Sequence, residues 1–196
     1  MKCNLLIGVT GSIACKRLPE IINLFAQTKH FNIKVILTST ATLFLKQFID
    51  LNAFETNFKI KLYYDCGELY NIKKEIPIHI ELRKWANALL LVPLTANTLA
   101  KISNGICDNL LTMVVRSWEK NKKFFFCLAM NNLMYEKDIT HEQINTLIKQ
   151  NGFVHIQSKL CKLSCGDIGI GGIADSKDIV AIVCKEFGLT NYISKY

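Results

Sequence analysis

Three short polar runs, each directly after an apolar run, carry side chains suited to binding a charged small molecule. They are Thr10-Gly11-Ser12-Ile13-Ala14, Thr38-Ser39-Thr40-Ala41-Thr42 and Pro93-Leu94-Thr95-Ala96-Asn97-Thr98. Hydroxyl and amide groups at a strand-to-helix junction cap the helix, and with the N–H groups of its first turn they form an anion site. Capping alone would explain any one run, but three in succession point to a shared ligand. The spacing Gly8-x-x-Gly11-Ser12 is neither the dinucleotide fingerprint G-x-G-x-x-G nor a Walker loop, so a mononucleotide phosphate fits better than NAD or ATP. Cys161 and Cys165, four apart and downstream of His155, have no second pair to complete a zinc set, and no metal site is expected.

The elements that must position these runs follow from the pattern of apolar residues. Short apolar stretches at Cys3–Val9, Asn32–Leu37, Ala88–Val92, Lys123–Leu128 and Gly152–Ile156 read as strands. Between them, Ala14–Ala26, Ile78–Ala86, Leu110–Trp118 and Glu142–Gln150 have helical spacing. Alternation of this kind predicts a βαβ-type parallel sheet covered by helices, an α/β fold in one domain over residues 1–196. Ligands of such sheets collect at the carboxyl ends of the strands, where the three polar runs fall. Four of the ten glycines lie within Gly166–Gly172, which predicts a movable loop.

Composition sets the class of protein. Half of the 196 residues are apolar, enough for a packed core, yet no apolar run is long enough for a spanning helix. Met1-Lys2-Cys3-Asn4 leads straight into the first strand without a signal-peptide pattern, so a soluble, cytoplasmic chain with no membrane partner is expected. The eight cysteines are then mostly reduced, buried thiols. A balance of 24 basic against 16 acidic residues, net +8, favours anions. The lysines are scattered and lack interleaved aromatics, so a small phosphorylated ligand is expected rather than nucleic acid.

Longer runs carry a resemblance. His79-Ile80-Glu81-Leu82-Arg83-Lys84-Trp85-Ala86, the run Pro93 to Ile102, Gly105-Ile106-Cys107-Asp108-Asn109-Leu110-Leu111-Thr112, Ala129-Met130-Asn131-x-x-Met134 and Leu163-Ser164-Cys165-Gly166-Asp167 follow one another in order. Together they resemble the homo-oligomeric flavin-containing cysteine decarboxylases, in the branch of the phosphopantothenoylcysteine decarboxylases and halotolerance proteins. The likeness runs from about residue 3 to residue 184. It implies an α/β doubly wound, flavodoxin-like, Rossmann-type three-layer sheet, FMN as cofactor, 4′-phosphopantothenoylcysteine as substrate, and self-association into homotrimers with active sites at subunit interfaces. By the same resemblance Gly11, Ser12 and Ala14 form the first flavin loop, Thr38 and Thr40 the second, Phe44 an aromatic near the flavin, and Thr95, Ala96, Asn97 and Thr98 the loop for phosphate and ring.

The reaction so implied has a clear chemical logic. A carboxylate does not leave an ordinary cysteine, because the carbanion has no stabilisation. Oxidation of the CH2–S group to a thioaldehyde puts an electron sink β to the carboxylate, and loss of CO2 then gives an enethiolate. FMN supplies the redox chemistry, while the protein supplies position and proton traffic. The resemblance casts His79 as the base at the thiol. Alone, this histidine would read as a cap or core residue. Asn131 is cast as the holder of the substrate carboxylate, Met134 as pocket lining, Arg83 and Lys84 as cationic contacts, and Cys165 as the proton donor in the return step.

Some positions depart from the family pattern. Leu128 stands for the usual proline, Tyr135 for tryptophan, Ile168 for an aromatic, and Lys84 for an arginine whose bidentate geometry lysine lacks. Two other readings compete: a peptidyl-cysteine oxidative decarboxylase, and a non-catalytic regulatory subunit of the halotolerance type. The Cys165-Gly166-Asp167 run and the His79–Trp85 run favour the coenzyme A enzyme over the first, and His79, Asn131 and Cys165 together favour an enzyme over the second.

Overall fold

The computed structural model describes residues 2–65, 76–149, 153–157, 161–162 and 168–189. Six parallel strands form one sheet in the order β3-β2-β1-β4-β5-β6. They are β1 (Cys3–Val9), β2 (Phe31–Leu37), β3 (Lys61–Tyr64), β4 (Ala88–Leu94), β5 (Lys123–Leu128) and β6 (Phe153–His155). The β1 and β4 strands are continuous apolar runs because helices cover both of their faces. Alternate side chains define two half-cores. Leu5, Ile7, Leu90 and Phe125 face a layer made of α1 (Leu18–Thr28), α2 (Ser39–Leu45), α3 (Leu51–Phe58) and α9 (Ser176–Glu186). Leu6, Leu89, Leu91, Phe124 and Phe126 face α4 (Ile78–Trp85), α5 (Ala96–Ser103), α6 (Leu110–Arg116) and α8 (Asp138–Ile148). A four-residue helix, α7 (Asn132–Tyr135), follows β5.

This is the doubly wound three-layer α/β architecture expected from the sequence. Without β3, the other five strands keep the flavodoxin-like order 2-1-3-4-5, and β3 extends that sheet by one edge strand. The four residues of β3 had no periodic signal, and its pairing with β2 from Lys34↔Lys61 to Leu37↔Tyr64 is a tertiary outcome. The first predicted helix is displaced. Pro19 lacks an N–H and belongs in a first turn, so a 3₁₀ segment over Ile13–Arg17 comes first and α1 starts at Leu18. The helix predicted at Glu142–Gln150 begins earlier, at Asp138, whose carboxylate suits the first turn. The glycine-rich run is also corrected in part. Ile168–Gly169 forms a short strand, β8, antiparallel to β7 (Cys161–Lys162).

Gly8 shows why a glycine sits in the central strand. A Cβ there would lie 2.5 Å from Leu111 Cδ1 and 2.7 Å from Leu91 Cδ2, so its absence lets α6 pack against β1. Among the described residues no helix is long and apolar enough to cross a membrane, and no cluster of three metal-ligating side chains occurs. Among the described residues, Cys15, Cys127 and Cys184 are buried free thiols, Cys3 is half-buried and Cys107 is exposed.

At the end of β6, His155 stacks on Phe126 with ring centroids 4.7 Å apart, and its buried Nδ1 has no partner. Desolvation lowers its pKa from 6.5 to about 4. The unfolded chain therefore binds a proton across that interval and the fold does not, so stability falls as pH drops from 6.5 towards 4. In His155→Phe the ring stack remains and the titration is gone. The thermal midpoint, followed by circular dichroism, should fall less over that pH interval in the variant than in the parent.

Candidate functional site

The direction of winding reverses between β1 and β4, and a crevice must open at their carboxyl ends. One side chain stitches that crevice. Thr10, almost fully buried, donates from Oγ1 to the Pro93 carbonyl (2.8 Å) and accepts from the Thr95 N–H (2.9 Å). Its own N–H also donates to Pro93 O at 3.2 Å. The Val92–Pro93 peptide is cis. The β4–β5 register shifts between Leu91 and Leu94, so the chain leaves β4 out of line with its neighbour.

The second loop is brought in from the other side. Gly11 lies against Thr40, where a Cβ would meet Thr40 Cγ2 at 2.3 Å, so glycine is required for the first two loops to touch. Asp65, just past β3, accepts through Oδ2 from the Ser39 N–H (2.7 Å) and Ser39 Oγ (3.1 Å). Its Oδ1 is buried without a partner.

Simple helix capping accounts for two of the three polar runs. Ser12 Oγ accepts from Ala14 N–H (3.2 Å), and Thr38 Oγ1 accepts from Ala41 N–H (3.3 Å). It does not account for the third. Thr95 stands at the N-cap of α5 but makes no cap bond, and its Oγ1 donates to Thr98 Oγ1 instead (3.4 Å). No side chain caps the first turn of α5 beside the crevice. Lys101 adds a cation there and is paired with Asp108 at 2.5 Å. That hydrogen bond holds the Asp108 carboxyl below its usual range.

The result is one cleft of about 610 Å³, within the usual size of a small-molecule site. Gly11, Ser12, Thr38, Thr40, Thr95, Ala96, Asn97 and Thr98 all line it, and so does Met134. Eight of the ten predicted cofactor residues thus converge on one space. Asn131 stands at its edge, between the lining residues Met130 and Met134, as the N-cap of α7 with Oδ1 accepting from Leu133 N–H (2.9 Å).

Other predicted residues are not gathered by a single chain. Ala14 supports the first loop without lining the cleft, and Phe44 on α2 packs partly buried against the core. His79 is half-buried in the first turn of α4, at the carboxyl side of the sheet but outside the cleft. Arg83 and Lys84 lie lower on that helix. Its end is at the amino edge of the sheet, where Asn4 Nδ2 donates to Trp85 O. There Arg83 pairs with Glu119 (3.2 Å) and Lys84 is exposed. Cys165, with Gly166 and Asp167, falls outside the described residues.

Sequence reasoning missed Asp65, Lys101 and Asp108 as cleft residues. Asp65 gave no signal because the strand before it was not predicted. Lys101 was legible in retrospect, one turn beyond Asn97 and Thr98 on α5.

An α/β fold with a crevice at its winding reversal, walled by hydroxyls and an uncapped helix start, defines a mononucleotide-type binding protein. The chain belongs to the Flavoprotein family, which matches residues 1–188. It is 39% identical over 184 residues to the phosphopantothenoylcysteine decarboxylase of Mus musculus, covering 93% of this chain and 86% of that one. Among solved structures it superimposes on a cysteine-to-serine mutant of PPC decarboxylase complexed with pantothenoylaminoethenethiol. The TM-score is 0.87 at 31% identity, over 96% of this chain and 100% of the other. The FMN binding protein AtHal3 is similar at TM-score 0.83 and 32% identity, over 96% and 98% of the two chains.

Thr10→Val removes the bridge and leaves the Thr95 N–H unpaired, at a cost of roughly 2 kcal/mol. The thermal midpoint should drop by about 4–8 °C for a domain of this size. A Thr10→Ser variant, which keeps the hydroxyl, should recover most of that loss in a calorimetric scan.

Proposed function

We propose that this chain is an FMN-dependent decarboxylase that converts 4′-phosphopantothenoylcysteine to 4′-phosphopantetheine, a cytoplasmic step of coenzyme A synthesis. The observation that carries this reading is the single cleft in which Gly11, Ser12, Thr38, Thr40 and Thr95–Thr98 meet Met130 and Met134. The names of the relatives support the substrate and the cofactor.

The residues present fit FMN. Thr95 to Thr98, at the uncapped start of α5, would take the phosphate and ring edge, and Gly11, Ser12, Thr38 and Thr40 the remainder. When bound, FMN supplies a hydride acceptor for the CH2–S group of the substrate and a donor for the return step. The chain does the rest. Asn131 orients the carboxylate that leaves, a proximity effect. His79 takes the thiol proton. Cys165 delivers a proton to carbon as the enethiolate is reduced.

The scatter of His79 and Asn131 within one chain is met by a site shared between subunits. A homotrimer would bring α4 of one chain to the cleft of the next. Exposed Leu43, Leu133 and Met134 around the cleft and its neighbouring groove support such an association, since exposed apolar side chains of this size mark contact surfaces.

Two experiments test the reading. Anaerobic incubation of the flavin-loaded protein with 4′-phosphopantothenoylcysteine should yield a product lighter by CO2, with the flavin oxidised again after each turnover. A product lighter by CO2 and two hydrogens, with bleached flavin, would move the chain to oxidative decarboxylation. Absence of flavin and turnover would leave a regulatory subunit. Sharing of the site is tested by mixing. His79→Asn and Asn131→Asp should each be inactive alone, and co-refolded mixtures should regain activity if the two residues come from different subunits.

A further inference from the structure

The stretch from the end of β8 into α9, Gly169 to Ser176, makes contacts that the proposed chemistry does not use. Gly171 O accepts from the Met130 N–H at 2.7 Å. A Cβ on Gly171 would lie 2.7 Å from Met130 O and 3.3 Å from Asn131 C, so the two backbones run in direct contact. One step earlier, a Cβ on Gly169 would strike Asn132 Oδ1 at 2.1 Å, and Asn132 Nδ2 is itself bonded to Glu136. Further on, the Ala174 N–H donates to Cys127 Sγ at 3.2 Å. Arg17 Nη1 donates to Ala174 O at 3.4 Å, and Ser176 Oγ donates to Glu20 Oε2 at 2.7 Å.

Cys127 suits an acceptor role. It is fully buried, and burial pushes its thiol up to about 12, so it stays protonated. Its Sγ lies 4.0 Å from Leu128 O, and its lone pairs accept from Ala174 N–H. Arg17 and Glu20 belong to the segment that continues from the Gly11–Ser12 loop. The stretch 169–176 is therefore held at one end by the Met130–Asn132 loop, in its middle by Cys127, and at its far end by the helix entry that follows the first cofactor loop.

We propose that residues 169–176 are a fixed brace for the Met130–Asn131 loop rather than a moving flap, with Gly171 and Cys127 as positioning residues for Asn131. The brace keeps the substrate loop and the first cofactor loop in one register, although neither Gly171 nor Cys127 lines the cleft. This rests on the reading of Asn131 as the holder of the substrate carboxylate. It also replaces the expectation that the glycines of this stretch serve motion. Gly169 and Gly171 are small because another backbone or a bonded side chain occupies the space of their Cβ.

Gly171→Ala and a pair of Cys127 variants test it. Gly171 does not have a left-handed φ, so alanine acts only by displacing Met130 and Asn131. The KM for 4′-phosphopantothenoylcysteine should rise by at least about tenfold, as a shift of under an ångström at a positioning group can do. FMN affinity, read by fluorescence quenching, should stay within about twofold on the same principle of local action. Cys127→Val removes the acceptor and should raise KM, while Cys127→Ser keeps it and should restore the parent value. Amide exchange of the flavin-loaded parent reads the brace without turnover. Met130 and Ala174 should be protected with or without substrate, and Ala174 should lose protection in Cys127→Val alone. Exchange that is fast without substrate and slowed by it would make the stretch a lid and overturn the brace. An unchanged KM in Gly171→Ala would overturn the positioning role. If the parent does not turn over the substrate, the decarboxylase reading has failed, and the exchange pattern still decides the brace.

Discussion

The site depends on one bridging hydroxyl at the place where the sheet changes its direction of winding. Two parallel strands that lead to opposite helical layers must part at their carboxyl ends, and the backbone groups exposed there need partners. Thr10 Oγ1 serves both sides of the gap, donating to Pro93 O and accepting from Thr95 N–H. The bridge sets how far the first loop stands from the start of α5, and so the width of the cleft. Gly11 and Asp65 then bring in the second loop, one by offering no Cβ and the other by holding Ser39 through both its N–H and its hydroxyl.

The cleft and the substrate loop share a further constraint. β4 and β5 are neighbours, and the Ala129 N–H donates to Leu94 O at 3.0 Å, so the two loops that follow these strands leave side by side. That adjacency puts Met130 and Met134 in the same cleft wall as Thr95 to Thr98. A ligand ring held by the α5 loop is thereby next to whatever the Met130–Asn131 loop holds. The brace from Gly169 to Ser176 ties that loop to the chain after Ser12 on the opposite side of β1. Three separate parts of the sequence are therefore mechanically linked around one space.

Within one chain, α4 distributes the H-I-E-L-R-K run along its length instead of gathering it. His79 is at the carboxyl side, while Arg83 is drawn to Glu119 near the amino edge, where Lys122 Nζ also bonds Glu119 at 3.2 Å. The cause is plain helical geometry, since four residues advance the chain by about 6 Å. Lys34 Nζ lies 4.4 Å from the centroid of the Trp85 ring, which further ties the end of this helix to the middle of β2.

Much of this molecule was determined by its sequence alone. Five apolar runs of strand length, separated by helical periodicity, specify a parallel sheet because only strands buried on both faces are apolar throughout. The polar runs after three of those strands mark the ligand end for the same reason: a hydroxyl at a strand-to-helix junction has a local partner in the next turn. Tertiary structure alone decided the rest. Whether Thr95 caps its helix or turns away, as it does, depends on Thr10, which lies 85 residues earlier. Asp65 became part of the cleft only when Lys61–Tyr64 paired with β2. Gly169 and Gly171 looked like freedom of motion in sequence, yet a Cβ on either would strike the Asn132 side chain or the Met130 backbone, because a missing Cβ serves both ends and only the neighbours across space tell them apart.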